Sequence, residues 1–328
     1  MHALAILPAR VAGTGTIEFG SAVSTIEVAQ RVRPPRNPAA IVRKTGIVSR
    51  RFTGPEDSPA ELGRRALEQA LRAAGLRATD LERIILVSSG GGDLVIPATA
   101  NLIARDMGLA GTCDCFDLNN ACMGFLTALD IAARGIATGG GPVGIAVVEP
   151  ASRGITPDDA RPYLVFGDGV AAAVITPATA DEGILCSWLR NDAIAFGNVR
   201  LANSGITRKP EFIHFTAPAD TMGGEAIVAL QRSTFEVLGK AGLTVDEVEW
   251  VLPHQPNGVL LDAIVRALGA RQERVVRVVD EVGSVGAASI PISLDRLFRT
   301  RDVRPGDRVL MVGVGAGLSF GAMLYRTP

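Results

Sequence analysis

Residues 116–125 read Phe-Asp-Leu-Asn-Asn-Ala-Cys-Met-Gly-Phe, and the interpretation of the whole chain starts from this stretch. An apolar approach ends at the polar pair Asn119–Asn120, Cys122 follows, and an apolar, alanine-rich run continues to about Ile136. The pattern predicts a strand, a tight turn and a buried helix that begins next to Cys122. Unpaired N–H groups and the helix dipole favour negative charge at that end, so we expect a thiol that ionises readily and acts as a nucleophile. A buried structural cysteine is the alternative.

The composition limits the possible function classes. The chain has 328 residues, is 47% hydrophobic and 20% charged, and carries a formal net charge of −1, which argues against disorder and against nucleic-acid binding driven by bulk charge. Its four cysteines do not form a disulfide framework, and their spacing does not indicate a zinc or other metal site. No apolar run approaches the roughly 18 residues of a membrane span, and the N-terminus lacks a convincing signal peptide. We therefore expect a cytoplasmic protein without membrane segments.

Two regions of the chain follow the same order of elements. In each, a helix ends at a glycine and a buried strand follows: helix 59–74, Gly75 and strand 84–87, then a helix ending near Gly242 and strand 248–252. The two glycines lie 167 positions apart (242 − 75), close to half the chain. This offset predicts two similar α/β halves, 1–175 and 176–328, with helices on both faces of each sheet. The Cys122 helix then corresponds to the helix after 283–288, and we expect these two helices to be the most buried.

His254 stands out among the three histidines. It follows the apolar strand 250–252 at a break rich in proline, and α/β folds place catalytic groups just past such strand ends. His2 is terminal and His214 lies inside an apolar run, where a structural role is expected. Because Cys122 and His254 follow central strands of equivalent halves, we expect both to reach one cleft. A thiol with an imidazole in reach is suited to covalent acyl transfer.

Two glycine-rich loops follow buried strands. The loop 313–317 has backbone N–H groups that would suit an oxyanion pocket, although a tight strand connection explains the glycines equally well. The loop 90–92 does not match the dinucleotide-binding fingerprint, so a dinucleotide site is not expected.

The segment 30–51 is rich in arginine and interrupted by prolines. Prolines at these positions break regular structure, and charge runs are usually solvated. We interpret the segment as an irregular surface stretch. A docking patch for an acidic partner or a phosphate is the alternative.

These residues together resemble the thiolase superfamily and, within it, the β-ketoacyl-ACP synthase III group. The resemblance rests on six sequence blocks: Lys44-Thr45-Gly46-Ile47, Asn120-Ala121-Cys122-Met123-Gly124-Phe125, Phe166-Gly167-Asp168-Gly169, Val251-Leu252-Pro253-His254-Gln255, the stretch Gly283 to Pro291, and Gly315-Ala316-Gly317. The six blocks occur in the family's order and cover nearly the whole chain. The resemblance implies a five-layer αβαβα fold with internal duplication, a homodimer, and a phosphopantetheine-linked acyl substrate with no bound cofactor.

The resemblance also implies roles for single residues. Cys122 would carry the acyl thioester, and His254 would be the base or hydrogen-bond donor. The backbone N–H groups of Cys122 and Ala316 would form the oxyanion hole. Ile96 and Val314 stand where aromatic residues often narrow the acyl pocket, so a pocket of different shape is expected.

One departure from the family pattern affects the expected reaction. Condensing members have Gly-Asn where this chain has Gly283-Ser284, and that Asn works with the histidine during decarboxylation of malonyl. A serine hydroxyl is shorter and offers one donor. Loss of one oxyanion-type donor typically costs on the order of 100–1,000-fold in rate. The sequence therefore predicts an acyltransferase that uses Cys122 and His254, with Ser284 as a minor donor or spacer.

The acceptor of that acyltransferase would be a hydroxyl, amine or thiol, in polyketide or other secondary metabolism. Two alternatives stay open. One is a decarboxylating condensing enzyme in which Ser284 or a water replaces the Asn. The other is a non-catalytic partner subunit, which the retention of both Cys122 and His254 argues against.

A second departure concerns the acyl donor. Coenzyme-A-using members clamp the adenine between a Trp and an Arg, and the corresponding positions here are Ala40 and Ala160, with Arg161 adjacent. The absent clamp favours an acyl carrier protein as donor. The acidic surface of such a carrier would suit the arginine-rich segment 30–51.

Overall fold

The structure is a computed structural model that describes residues 6–179 and 182–328. The strands are β1 (Ala9–Thr16), β2 (Ser21–Ser24), β3 (Ser49–Phe52), β4 (Arg83–Val87), β5 (Asp114–Leu118), β6 (Val143–Glu149), β7 (Gly169–Pro177), β8 (Gly183–Asn191), β9 (Val199–Arg200), β10 (His214–Phe215), β11 (Trp250–Pro253), β12 (Arg308–Gly315) and β13 (Ser319–Arg326). The helices are α1 (Thr25–Arg31), α2 (Pro38–Thr45), α3 (Pro59–Ala74), α4 (Thr99–Asp106), α5 (Gly124–Ala137), α6 (Ala160–Val165), α7 (Ser204–Thr207), α8 (Ala219–Ala241), α9 (Gly258–Leu268), α10 (Val279–Val282) and α11 (Ser289–Thr300). Within those described ranges, no helix is both long and apolar enough to cross a membrane.

Two sheets have matching strand orders. The first sheet runs β1-β7-β6-β4-β5 and the second runs β11-β12-β13-β8. In each sheet a parallel pair, β4–β6 or β11–β12, continues on one side into antiparallel neighbours. A parallel bridge from Val251 to Val275 extends the second sheet at the place that β5 holds in the first. The strand order β8-β13-β12-β11 of the second sheet matches the order β1-β7-β6-β4 of the first sheet. This match is the internal duplication that the sequence repeat predicted.

The sheets and helices form five layers. Strand residues alternate between two cores, as in β4, where Ile85 and Val87 face one cluster and Ile84 and Leu86 face another. The helices α5 and α11 lie in the cluster between the two sheets. The helices α3 and α4 cover the outer face of the first sheet, and α8 and α9 cover that of the second. The two helices that we expected to be most buried therefore form the central layer.

The local signals around the repeat agree with the structure. The helix predicted over 59–74 is α3, and Gly75 ends it in the left-handed conformation with φ 67. The second copy is α8, which ends at Gly242 with the same φ of 67. Glycine adopts this conformation without steric cost, so a glycine directly after the last apolar position is a dependable signal for a helix end.

The interpretation of segment 30–51 was wrong in part. Asn37 caps the helix α2 and β3 pairs with β2, so the segment contains regular structure. Arg50 is fully buried, donates 2.8 Å hydrogen bonds to the Leu164 carbonyl and the Thr25 hydroxyl, and has its pKa lowered to about 10 by burial. Alternate side chains of a paired strand point to opposite faces, which places Arg50 inside although its neighbours in sequence are charged.

Candidate active site

Cys122 lies in the turn between β5 and α5. The turn is a single 3-10 segment, Ala121–Met123, and Ala121 has φ 43, an uncommon value for a residue other than glycine. The side-chain oxygen of Asn119 accepts a 3.0 Å hydrogen bond from the Ala121 N–H and so supports this conformation. The strand, turn and helix predicted from residues 116–125 are all present, with Cys122 beside the first residues of α5.

Asn120 links this turn to the second half of the chain. Its side-chain oxygen accepts a 3.0 Å hydrogen bond from the Ser319 hydroxyl at the start of β13. Its amide group donates to the Thr127 hydroxyl at 2.8 Å, and Thr127 in turn donates to the Met123 carbonyl at 3.1 Å. The position of Cys122 is therefore held from both halves.

The C-terminal end of β12 passes directly behind Cys122. A Cβ atom added at Gly315 would lie 2.9 Å from the Cys122 nitrogen and 3.3 Å from its Cβ, so only glycine allows this approach. Ala316, the expected second oxyanion donor, follows immediately and lines the same cavity as Cys122. The oxyanion role of the two N–H groups remains a prediction.

His254 follows β11 and sits beside β12. Its backbone N–H donates a 2.8 Å hydrogen bond to the carbonyl of Val312, three residues before Gly315. The side chain is buried, its Nδ1 atom has no hydrogen-bond partner among the described residues, and burial lowers its pKa to about 4. His254 is therefore neutral near pH 7. The structure brings Cys122 and His254 to the same end of β12, although His254 does not itself line the cavity.

Gln255 holds the His254 segment in place, and the sequence analysis gave it no role. Its side-chain oxygen accepts hydrogen bonds from the N–H groups of Val278 and Val279, at 2.9 and 3.1 Å. Its amide nitrogen donates to the Val276 carbonyl at 2.8 Å, and its backbone N–H donates to the Ser289 hydroxyl. Because both the oxygen and the nitrogen of the buried Gln255 amide are hydrogen-bonded, this side chain fixes the loop that carries the His254 imidazole.

The expected ease of ionisation at Cys122 is not found. Burial, and after it the negative charge of Glu149, raises the pKa of the Cys122 thiol to about 12. The Cys122 thiol is therefore neutral near pH 7. The helix N-terminus that we expected to lower the pKa is present, but it is outweighed by the loss of water and by the nearby carboxyl group.

Ser284 is held by its backbone. Its N–H donates to the Val165 carbonyl at 2.9 Å, and its carbonyl accepts from the Gly167 N–H at the same distance. Next to Gly167, the Asp168 carboxylate accepts hydrogen bonds from Thr53 and Ser152 and fixes this connection in turn. Ser284 is buried and lines the same cavity as Cys122, and its role as a minor donor or spacer stays a prediction.

An open cavity of about 1610 Å³ joins these residues. Its wall includes Cys122, Glu149, Ser284, Val314 and Ala316. Val314 therefore lines this cavity, and its role in an acyl pocket stays a prediction. Ile96 is 86% exposed and lies outside the cavity of its own chain.

The mouth of the cavity carries basic residues. Arg36, Lys44 and Arg161 line it. The guanidinium of Arg161 lies 5.4 Å from the centre of the Phe215 ring and donates to the Phe215 carbonyl at 3.1 Å. Ala160 also lines the mouth, so a small side chain stands at the position of the family's clamping Arg. Among the described residues, no group of three or more His, Cys, Asp or Glu could hold a metal ion.

The comparisons with known proteins together cover nearly the whole chain. Residues 116–193 match the family model "3-Oxoacyl-[acyl-carrier-protein (ACP)] synthase III", and residues 238–327 match its C-terminal model. The β-ketoacyl-[acyl-carrier-protein] synthase III of Thioalkalivibrio sulfidiphilus is 36% identical over 292 residues, which is 87% of this chain and 89% of the relative.

Solved structures give the same result. The 3-oxoacyl-(acyl carrier protein) synthase III of Pseudomonas aeruginosa superposes with a TM-score of 0.90 at 29% identity, covering 98% of both chains. The priming β-ketosynthase from the R1128 polyketide pathway also gives 0.90 at 29% identity, covering 98% of this chain and 97% of that one. The thiolase-like fold class predicted from the sequence is confirmed.

The close approach of Gly315 to Cys122 yields a test. A Gly315→Ala variant places a methyl group against the Cys122 backbone and displaces the nucleophile. We expect at least a tenfold slower alkylation of Cys122 by iodoacetamide, measured by mass spectrometry of the Cys122 peptide. Gly90→Ala is the control, because the same cavity contains Gly90 but no atom lies within 4 Å of an added Cβ there. Equal alkylation rates in the two variants would contradict the assigned contact.

Proposed function

Because the chain belongs to the β-ketoacyl-ACP synthase III family of transferases, we propose that it is an acyltransferase that loads an acyl group on Cys122. An acyl carrier protein supplies the group, and a hydroxyl, amine or thiol compound receives it. The proposal is supported by the shared cavity of Cys122, Ser284 and Ala316 and by the adjacent buried imidazole of His254.

The proposed reaction has two steps. In the first, the sulfur of Cys122 attacks the carrier thioester, the carrier thiol leaves, and backbone N–H groups at Cys122 and Ala316 hold the oxyanion. In the second, the acceptor attacks the acyl-Cys122 thioester. His254, which is neutral near pH 7, takes the proton of the attacking acceptor or donates a hydrogen bond to the reacting oxygen.

The observation that carries the proposal is the serine at position 284. Decarboxylative condensation develops charge on a thioester oxygen, which in the family is held by two side-chain donors. Ser284 is fixed by both of its backbone groups and cannot move to extend its short side chain. Acyl transfer to an external nucleophile does not form an enolate and so needs no such donor pair.

An acyl carrier protein is the proposed donor. The similar protein from Thioalkalivibrio sulfidiphilus is named after the acyl carrier protein. The mouth of the cavity has the basic residues Arg36 and Lys44, which suit an acidic partner. Arg161 lies against Phe215 rather than opposite an aromatic residue on α2, which argues against an adenine clamp. The acyl chain would arrive on the carrier's phosphopantetheine arm, and the protein itself would hold no cofactor.

The proposed setting is cytoplasmic secondary metabolism. All four cysteines are free in the structure, as a reducing compartment requires. The similarity to a priming β-ketosynthase of a polyketide pathway supports a role in acyl tailoring or priming.

The first test of the proposal is covalent loading. The parent chain, mixed with acyl carrier proteins that bear different acyl groups, is expected to gain the mass of one acyl group on Cys122. Cys122→Ala removes the nucleophile, so it is expected to gain none. Cys186→Ala is the control, because that thiol lies outside the cavity. Equal loading of Cys122→Ala and the parent would end the proposal, and no loading from any donor would favour the non-catalytic subunit.

A second test separates acyl transfer from condensation, which the names of the relatives make the main alternative. The parent chain is expected to release little CO₂ from malonyl carrier protein. Ser284→Asn restores the missing amide donor and is expected to raise this release about 100-fold or more. Ser284→Ala is the matched control without a donor. Rapid CO₂ release by the parent, with no gain in Ser284→Asn, would instead establish the condensing enzyme.

We propose in addition that the chain forms a homodimer through β5. This strand is at the edge of the first sheet and pairs only with β4 among the described strands. Beside it, the loop residues Leu94, Val95 and Ile96 are 48%, 94% and 86% exposed. An open sheet edge next to an exposed apolar loop is typical of a surface that a second copy covers.

Light scattering tests the dimer. The parent chain is expected at twice its mass of 34.2 kDa. Val95→Asp introduces a charge into the proposed interface and is expected to shift the protein to the monomer. Phe235→Asp is the control, because Phe235 is also exposed but lies on α8, on the outer face of the second sheet. A monomeric parent chain, or a dimer unaffected by Val95→Asp, would contradict the interface.

A further inference from the structure

Glu149 is a buried carboxyl group in the wall of the same cavity as Cys122. It is the last residue of β6, a strand whose seven residues are all buried, and only 3% of its surface is exposed. An added Cβ at Gly286, two residues after Ser284, would lie 3.1 Å from the Glu149 carboxyl carbon. The carboxyl group also accepts from the Ala287 N–H, and an added Cβ at Gly124, the first residue of α5, would lie 3.5 Å from the Ala287 Cβ, so the same short segment contacts both Glu149 and the start of the Cys122 helix.

Neutral donors hold this carboxyl group, and no cation pairs with it in the described part of the chain. The Ser89 hydroxyl donates at 2.8 Å and the Ser89 N–H at 3.2 Å, and the Ala287 N–H contributes a further hydrogen bond. The charged or titratable groups that face it are Asp168, before β7, and Cys122, in its turn. Burial raises the pKa of Glu149 to about 7, and the charge of Asp168 adds to this. A buried carboxyl without a basic partner is unusual unless it has a function.

We infer that Glu149 accepts the proton of the Cys122 thiol during loading and then returns it to the departing carrier thiol. The inference rests on the proposed acyl transfer. The Sγ–H bond breaks as an O–H bond forms on Glu149, directly or through one water, and the thiolate attacks the thioester carbonyl. The bond from that carbonyl to the carrier sulfur then breaks, and the carrier sulfur takes the proton from Glu149. Atoms and charge balance without any further reactant.

The charges of the site favour Glu149 over His254 for this step. When Cys122 transfers its proton to the Glu149 carboxylate, the pair of Cys122 and Glu149 carries one negative charge both before and after the transfer. Transfer to His254 would create a cation and an anion from two neutral groups, which is costly where protein covers most of both groups. His254, with its pKa near 4, is also the weaker base. It remains free to serve the acceptor in the second step.

The inference predicts a specific pH dependence. Glu149 can accept a proton only when it is ionised, so loading should rise with pH up to about 7 and then level off. In Glu149→Gln the acceptor is absent, so the levelling should disappear and the rate should follow ionisation of the thiol. Removing the negative charge should also lower the pKa of Cys122, because that charge raises it in the parent.

The experiment compares two reactions of Cys122 in Glu149→Gln. Loading from acyl carrier protein at pH 7 is expected to fall about 100-fold, since the proton acceptor and donor is lost. Alkylation by iodoacetamide is expected to stay equal or to increase, because iodide leaves without a proton and the thiol ionises more easily. Glu225→Gln is the matched control: Glu225 lines the same cavity, but its partner is Asn198, and both rates should stay at the parent values.

Two outcomes overturn the inference. The first is that Glu149→Gln loads at the parent rate with an unchanged pH profile. The second is that loading and alkylation fall equally, which would indicate a structural role for Glu149. If no carrier loads the parent chain, the proposed function fails separately. The alkylation profile then decides: an inflection near pH 7 in the parent that is absent in Glu149→Gln supports the role, and identical profiles refute it. If Glu149→Gln does not fold, Ser89→Ala should move the inflection to higher pH, and an unmoved inflection contradicts the inference.

Discussion

The site depends on one backbone contact, that between Gly315 at the end of β12 and the turn that carries Cys122. The two belong to different halves of the chain, and a single added methyl group would lie within 2.9 Å of the Cys122 nitrogen. Because β12 also pairs with β11, the strand that precedes His254, the same contact sets the imidazole relative to the thiol. The hydrogen bond from the Ser319 hydroxyl to Asn120 is a second link between the turn that carries Cys122 and the second half of the chain. The duplication of the fold therefore has a direct consequence: each half supplies one reactive group, and β12 aligns them.

The central layer accounts for the protonation states of these groups. The helices α5 and α11 are packed between two sheets, so protein atoms cover most of the surface of the turns that precede them. In that environment the neutral form of each group is favoured, and burial moves the pKa of Cys122 and Glu149 upward and that of His254 downward. Such a site favours the neutral thiol at rest, so the proposed first step needs a proton acceptor inside the cavity.

The sequence predicted those features that depend on local signals. A glycine after the last apolar position gave the end of α3, and the polar pair before Cys122 gave the turn, because both signals act within a few residues. Arg50 and Glu149 were misjudged or missed for a common reason. Each is a charged residue whose burial follows from strand pairing and layer packing, and in the case of Arg50 the neighbouring residues give no sign of it. A single glutamate at the end of an all-apolar strand is the one signal that would have indicated Glu149.

The backbone contacts of Ser284 bear on the proposed change of reaction, because they hold this position without using its side chain. Both backbone groups of Ser284 are bound to the 165–167 segment, and Gly167 in turn is so close to Arg50 and Val282 that an added Cβ would clash with them. The backbone at this position is therefore set by neighbours that do not depend on the side chain at 284. An asparagine or a serine can occupy it, and the difference lies only in how far a donor extends into the cavity. Cys122, the loop after β12 and His254 are held by contacts that do not involve the side chain at 284, so the proposed acyl loading does not depend on that side chain.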